Sequence, residues 1–141
     1  MSYTTTLRLY QTNPNAYFRP VEQTVWNYAN GGTWSHIDEE RKLAMGGSGT
    51  SGTIRFVADT GDNFLVAVGV HNYKRWCDIV PDLTSTQTGA VIQPLYYTGP
   101  RNSQREQQSA ACTATNSKGR KFNVVYTVGD GNDLKANIVI G

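Results

Sequence analysis

Phe64-Leu65-Val66-Ala67-Val68-Gly69-Val70 runs directly into His71-Asn72-Tyr73-Lys74-Arg75-Trp76-Cys77-Asp78-Ile79-Val80. In the first seven residues Phe64, Val66, Val68 and Val70 recur with period two, the pattern of a strand that gives one face to a core. The next ten carry two aromatics, three basic or imidazole side chains and an acid, placed where the strand gives out. Polar and flat groups converging at a strand end are what a binding surface on a rigid scaffold requires. The plain alternative is a hairpin edge with snorkelling basic residues.

The same period recurs on both sides of this stretch. Tyr3, Thr5, Leu7 and Leu9 share one face of a first strand, over residues 3–9, and Asn13-Pro14-Asn15 breaks it. Residues 21–28, with Val21, Val25 and Trp26, read as a second strand, and Asn30-Gly31-Gly32 as a turn before Thr33-Trp34. A weaker strand covers 33–45, with a hairpin tip at Asp38-Glu39-Glu40. Residues 53–58 follow with Ile54, Phe56 and Ala58 facing inward, and Asp59 to Asn63 turns the chain. Thr84-x-x-Gln87 and Ser103-x-x-Glu106 match the capping-box pattern and predict two short helices, separated by Gly99-Pro100. Alternation resumes over 122–128, turns at Gly129-Asp130-Gly131-Asn132, and closes over 134–140. Seven or more short strands with one helical insertion predict a mainly β chain, an antiparallel β-sandwich. Residues 1–141 read as a single domain.

Composition narrows the function classes. The chain has 141 residues with 14 Gly, 8 Tyr and 3 Trp, and its formal charge of +2 is spread over 13 basic residues. Lys74-Arg75 and Lys118-Gly119-Arg120-Lys121 are tight basic groups but form no long block, so nucleic acid is not expected as a partner. No run approaches the roughly 18 apolar residues of a membrane span. The first residues lack a charged segment followed by an apolar one, and there is no Asn-x-Ser/Thr sequon; a cytoplasmic location is expected. Cys77 and Cys112 stand far apart and make no disulfide framework.

The chemical motifs fall short of a reaction. Gly46-Gly47-Ser48-Gly49-Thr50-Ser51-Gly52 lacks the Gly-Lys-Ser/Thr ending of a phosphate loop and the spacing of a nucleophile elbow. It reads either as a flexible hairpin loop or as a loop whose small residues let a ligand approach backbone amides and the Ser48 hydroxyl. His71 and Cys77 on one continuing strand would lie about 20 Å apart, too far for a base–nucleophile pair. Two histidines and two scattered cysteines make a poor zinc site, and Asp130-Gly131-Asn132-Asp133 is better read as a β-turn than as a calcium loop. No catalytic residue, metal or cofactor is assigned. What remains is flat aromatics with short polar groups at turns, which is what sugar recognition uses.

Tyr28-Ala29-Asn30-Gly31-Gly32-Thr33-Trp34, Met45 through Gly52, and Gly69 through Asp78 together resemble the fungal fruit-body lectin family. The likeness extends from Leu9-Tyr10-Gln11-Thr12 to Asn132-Asp133-Leu134-Lys135-Ala136-Asn137. It implies a β-sandwich of two sheets joined by a helix-loop-helix, similar to the actinoporin fold, in a homotetramer without enzymatic activity. It also implies two sugar sites. The first, for the galactosyl-N-acetylgalactosamine disaccharide (the T-antigen), maps onto Ala29, Ser48, Gly49, His71 and Asn72. The second, for terminal N-acetylglucosamine, maps onto Asp78, Ile79, Val80 and Arg101. Pro81 stands there in place of a threonine, losing a hydroxyl and an N–H, and Cys112 in place of a tyrosine. These losses are worth about 1–3 kcal/mol, so the second site is expected to be weakened. A membrane-active module of the same fold is the alternative; it would need an amphipathic N-terminal helix where residues 3–9 read as a strand. Glycans of glycoproteins or glycolipids are the implied partners, with a defence role and no membrane insertion.

Overall fold

The computed structural model describes residues 1–141, which form ten strands and three short helices. One sheet contains β1 (Tyr3–Gln11), β3 (Gly32–Ile37), β4 (Glu40–Met45), β8 (Ala111–Thr115), β9 (Lys121–Val128) and β10 (Asp133–Ile140), in the order β3-β4-β1-β10-β9-β8. The other contains β2 (Phe18–Val25), β5 (Ser51–Ala58), β6 (Asn63–His71) and β7 (Lys74–Val80), in the order β2-β5-β6-β7. Three helices, α1 (Gly89–Ile92), α2 (Leu95–Thr98) and α3 (Asn102–Glu106), carry the chain from β7 in the smaller sheet to β8 in the larger. The sandwich and its helical connection are as the sequence led us to expect. One pair departs from the antiparallel rule: β1 runs parallel to β10, with Thr5 opposite Leu134 and Leu9 opposite Ile138.

Period two produces the core directly. Leu7, Leu43, Ile54, Phe56, Phe64, Val66, Phe122, Val124 and Ile138 are buried between the sheets. Phe64 of one sheet stacks on Phe122 of the other at a centroid distance of 4.1 Å. Each such side chain contributes about 1.5–3 kcal/mol by leaving water. β6 is buried on its second face too. Leu65 and Ala67 join Trp76, Val80, Leu83, Ile92 and Tyr96 in a separate cluster under the helices. The near-continuous apolar run 64–70 is therefore that of a strand covered on both sides.

Several boundaries and one element differ from the sequence reading. β2 begins at Phe18 and ends at Val25, and Pro20 fits because the register slips between Pro20 and Glu22, a bulge that excuses its missing N–H. Residues 33–45 are a true hairpin, β3 and β4, reversing at Asp38-Glu39. β8, with its half-exposed Ala-Cys-Thr-Ala-Thr, has too little apolar contrast to have been read as a strand. Neither capping box starts a helix. Gln87 Oε1 does accept from the Thr84 N–H at 2.9 Å, but this closes a turn five residues before α1. Ser103 lies inside α3, whose flanking residue is Arg101. Helices of four or five residues cannot hold themselves. They are pinned to the smaller sheet: Glu22 of β2 accepts from the Gly89 N–H at 2.7 Å, and Gln93, at the end of α1, donates to the Ser51 carbonyl of β5 at 3.1 Å.

Candidate functional site

Residues 71–80 are a hairpin rather than one strand. Asn72 and Tyr73 have φ of 48° and 66°, a two-residue left-handed turn between β6 and β7. Asparagine adopts that conformation readily, whereas a tyrosine is strained there, a cost found where function requires it. The Tyr73 N–H donates to Ser48 Oγ at 3.0 Å, which ties the turn to the glycine-rich loop. Tyr73 is 78% exposed. The reversal also corrects the distance reasoning about His71 and Cys77. His71 pairs with Lys74 and Cys77 with Val68. Cys77 belongs to the inter-sheet core, while His71 meets Arg105 on the helical side. They lie on opposite faces of the sheet.

The glycine-rich loop is not a hairpin loop either, because it leads from β4 in one sheet to β5 in the other. It is held at several points. The Gly49 N–H donates to the Val70 carbonyl at 2.8 Å, the Val70 N–H returns to the Thr50 carbonyl at 3.1 Å, and the Thr50 hydroxyl bonds the Tyr28 carbonyl. Gly49 has φ of +104°, and a Cβ there would come within 2.5 Å of the Tyr28 ring. Only glycine allows the ring to lie on the loop backbone.

These loops enclose a cavity of about 380 Å³. Of the residues assigned to a first site, Ser48, Gly49, His71 and Asn72 line it. Ala29, with φ of 50°, packs on Gly46 and Gly47 behind that wall. The cavity also brings in Trp26, Tyr28, Tyr73, Tyr97 and Arg105. Trp26 and Tyr97 stack at 4.1 Å, 5° from parallel, and the Arg105 guanidinium lies 5.0 Å from the centre of the Tyr97 ring. Burial pushes the Tyr97 phenol up to about 12, so it stays protonated and donates to the Gly49 carbonyl at 3.3 Å while the Ser51 hydroxyl sits 2.7 Å away.

Arg105 is the residue that organises His71. Its Nη1 lies 2.6 Å from His71 Nδ1, its Nε donates to the Tyr96 carbonyl at 2.8 Å and its Nη2 to Asn102 Oδ1 at 2.6 Å. A guanidinium has no acceptor, so Nδ1 must accept and the neutral ring carries its proton on Nε2. Burial, then the Arg105 charge, hold His71 below the ordinary imidazole value, against a smaller opposite pull from Glu106. Gln108 donates to the His71 carbonyl at 2.6 Å and completes the clamp. The site thus presents a hydroxyl, a ring N–H, a carboxamide and aromatic faces, all in fixed positions and without a net of ionised groups. Trp26 was read as a strand residue, and Tyr97 and Arg105 lie in a helical segment without periodicity; nothing local marked them.

The residues assigned to a second site are arranged differently. Asp78 is buried at 8% exposure; its Oδ2 accepts from the Tyr96 hydroxyl at 2.7 Å and from Arg101 Nη1 at 3.1 Å. Burial raises the Asp78 carboxyl, and these two partners oppose the rise. Ile79 packs in the inter-sheet core and Val80 in the cluster under the helices, so their side chains are committed inward. Cys112 is half-buried on β8, and the Cys77 thiol donates to the Ser109 carbonyl at 3.6 Å; both thiols are free. Pro81 directly follows β7.

Comparison with known proteins places this geometry. The family model described as fungal fruit body lectin matches residues 1–138. Boletus edulis lectin, from Boletus edulis, is 52% identical over 141 residues, covering 99% of both chains. The crystal structure of wild-type Xerocomus chrysenteron lectin superposes with a TM-score of 0.98 at 52% identity, covering 100% of both chains. A methionine-substituted form of the same lectin gives 0.98 at 53%, with 100% of this chain and 99% of that one covered. Match, length and fold agree throughout: the chain belongs to the fungal fruit body lectin family, and is a carbohydrate-binding lectin rather than an enzyme.

Proposed function

We propose that the cavity between the Gly loop and the Asn72-Tyr73 turn takes the galactosyl-N-acetylgalactosamine disaccharide. The observation that carries this is the convergence of Ser48, Gly49, His71 and Asn72 on one cavity beside Trp26, Tyr28 and Tyr73. Sugars need short donors and acceptors for their hydroxyls and a flat ring for their apolar face, and this wall offers both. The N-acetylglucosamine site around Asp78 and Arg101 is weakened by Pro81 and Cys112, which remove polar contacts and a ring. The protein works as a homotetramer, on glycans of glycoproteins or glycolipids, in defence against animals that feed on the fungus. Two free cysteines suit a reducing, cytoplasmic compartment. The membrane-active alternative would need an amphipathic helix where Tyr3–Gln11 is an internal strand of the larger sheet.

Calorimetric titration with the disaccharide and with chitobiose tests both halves. The disaccharide should bind saturably, chitobiose about tenfold or more weakly, and Asn72→Ala should remove disaccharide binding. Unchanged affinity in Asn72→Ala overturns the site assignment, and chitobiose binding as tight as the disaccharide overturns the weakened second site.

A further inference from the structure

The inner face of the sandwich does not close at its second end. Between the sheets, beside the β3–β4 turn, lies a cleft of about 660 Å³, larger than the sugar cavity and separate from it in every lining residue. Its floor is core: Leu7, Phe18, Ile54, Phe56 and Ile138. That volume lies within the roughly 300–1,000 Å³ of small-molecule sites, which are apolar hollows with few polar groups.

The polar group here is Arg41. On β4 the residues that alternate inward are Arg41, Leu43 and Met45, so an arginine occupies what would be the next core position, opposite Leu7 of β1. It is half-buried, and none of the four ion pairs of the chain includes it. Burial lowers its pKa, with no hydrogen bond or neighbouring charge acting against that. His36 lies across the ladder from it and also lines the cleft, while its Nε2 is engaged by the Asp38 carbonyl at 2.5 Å. Asp38 and Glu39 belong to the exposed rim of the turn. A half-buried guanidinium in no ion pair, at the edge of an apolar hollow whose two acidic residues sit on the exposed rim, is complementary to an anionic amphiphile. We propose that the cleft binds a medium-chain alkyl carboxylate, its chain on the apolar floor and its carboxylate on Arg41. The fork of the guanidinium matches a carboxylate in two parallel hydrogen bonds. This site is independent of the sugar reading.

The test is displacement of the fluorescent amphiphile 11-(dansylamino)undecanoic acid from the intact protein. Laurate should displace it saturably, below the concentration at which laurate forms micelles, and better than dodecylamine. Arg41→Gln should weaken laurate about tenfold or more while leaving dodecanol unchanged, because only the charged contact is lost. Leu9→Trp, which fills the cleft, should remove displacement by both laurate and dodecanol, with unfolding temperature confirming that each variant is folded. Equal laurate displacement in Arg41→Gln, dodecylamine outcompeting laurate, or no saturable displacement overturns the proposal. So does a laurate-driven fall in sedimentation coefficient, which would mean that another copy of the chain fills the cleft.

Discussion

At the scale of single residues, the cavity proposed for the disaccharide rests on a side chain that a motif comparison does not pick out. Arg105 touches His71 only through Nδ1, yet that contact decides which nitrogen carries the proton and where the ring points. The sign of the pH dependence follows from the depressed His71 value. As pH falls through 6.5 the unfolded chain takes up the proton first, so the stability contributed by His71 is full above that value. It declines as pH drops toward the folded-state value. Nitrogen-detected NMR should find neutral His71 with its proton on Nε2 and a titration midpoint below 6.5. In Arg105→Gln the midpoint should rise but stop short of 6.5, because burial is the larger cause and remains. Disaccharide affinity should fall by about tenfold as the ring loses its support. A proton found on Nδ1, or an unmoved midpoint, would remove Arg105 from this positioning role.

At the scale of elements, β6 and its turn hold the site together. Gly69 lies opposite Trp76 on β7 and Ser51 on β5. A Cβ at Gly69 would stand 2.6 Å from Ser51 Cβ, 2.7 Å from Trp76 Nε1 and 2.9 Å from the Thr50 carbonyl. Gly69→Ala should therefore cost about 1–3 kcal/mol in chemical denaturation. It should also weaken disaccharide binding, because the displaced Thr50-Ser51 backbone carries Gly49 and Ser48 with it. Full stability with full binding would show that the neighbours yield without strain. This strand was plain in the sequence, since Phe64, Val66, Val68 and Val70 alternate and the intervening Leu65 and Ala67 are apolar. Its turn was not, because Asn72-Tyr73 carries no glycine, and hairpin turns of this kind are recognised by one. The helices were misplaced for a related reason. Four-residue helices have no period to read, and their ends are held by Glu22 and Gln93 across the fold instead of by local caps.

At the scale of the whole molecule, the sandwich was legible because both sheets present one apolar face, while the parallel pairing of β1 with β10 is a contact between residues more than 120 apart that no local pattern records. The cavity was half legible for the same reason: motifs held Ser48, Gly49, His71 and Asn72, whereas Trp26, Tyr97 and Arg105 reach it only through the fold. Assembly lies one level further out and leads to the last prediction. A shallow cavity with few polar contacts should bind a disaccharide in the millimolar to micromolar range, about −4 to −8 kcal/mol. In the proposed homotetramer, four copies each presenting a cavity would convert later binding events into intramolecular ones and raise apparent affinity by about 10²–10⁴. Sedimentation velocity should show four times the mass of the chain. Retention on a surface carrying dense disaccharide should then exceed retention on a sparse surface by at least about a hundredfold, the lower bound of that gain. Asn72→Ala should lose retention on both surfaces while still sedimenting as a tetramer. A monomer in solution, or retention that simply scales with the amount of immobilised sugar, would overturn the multivalent reading and leave a lectin that acts one weak site at a time.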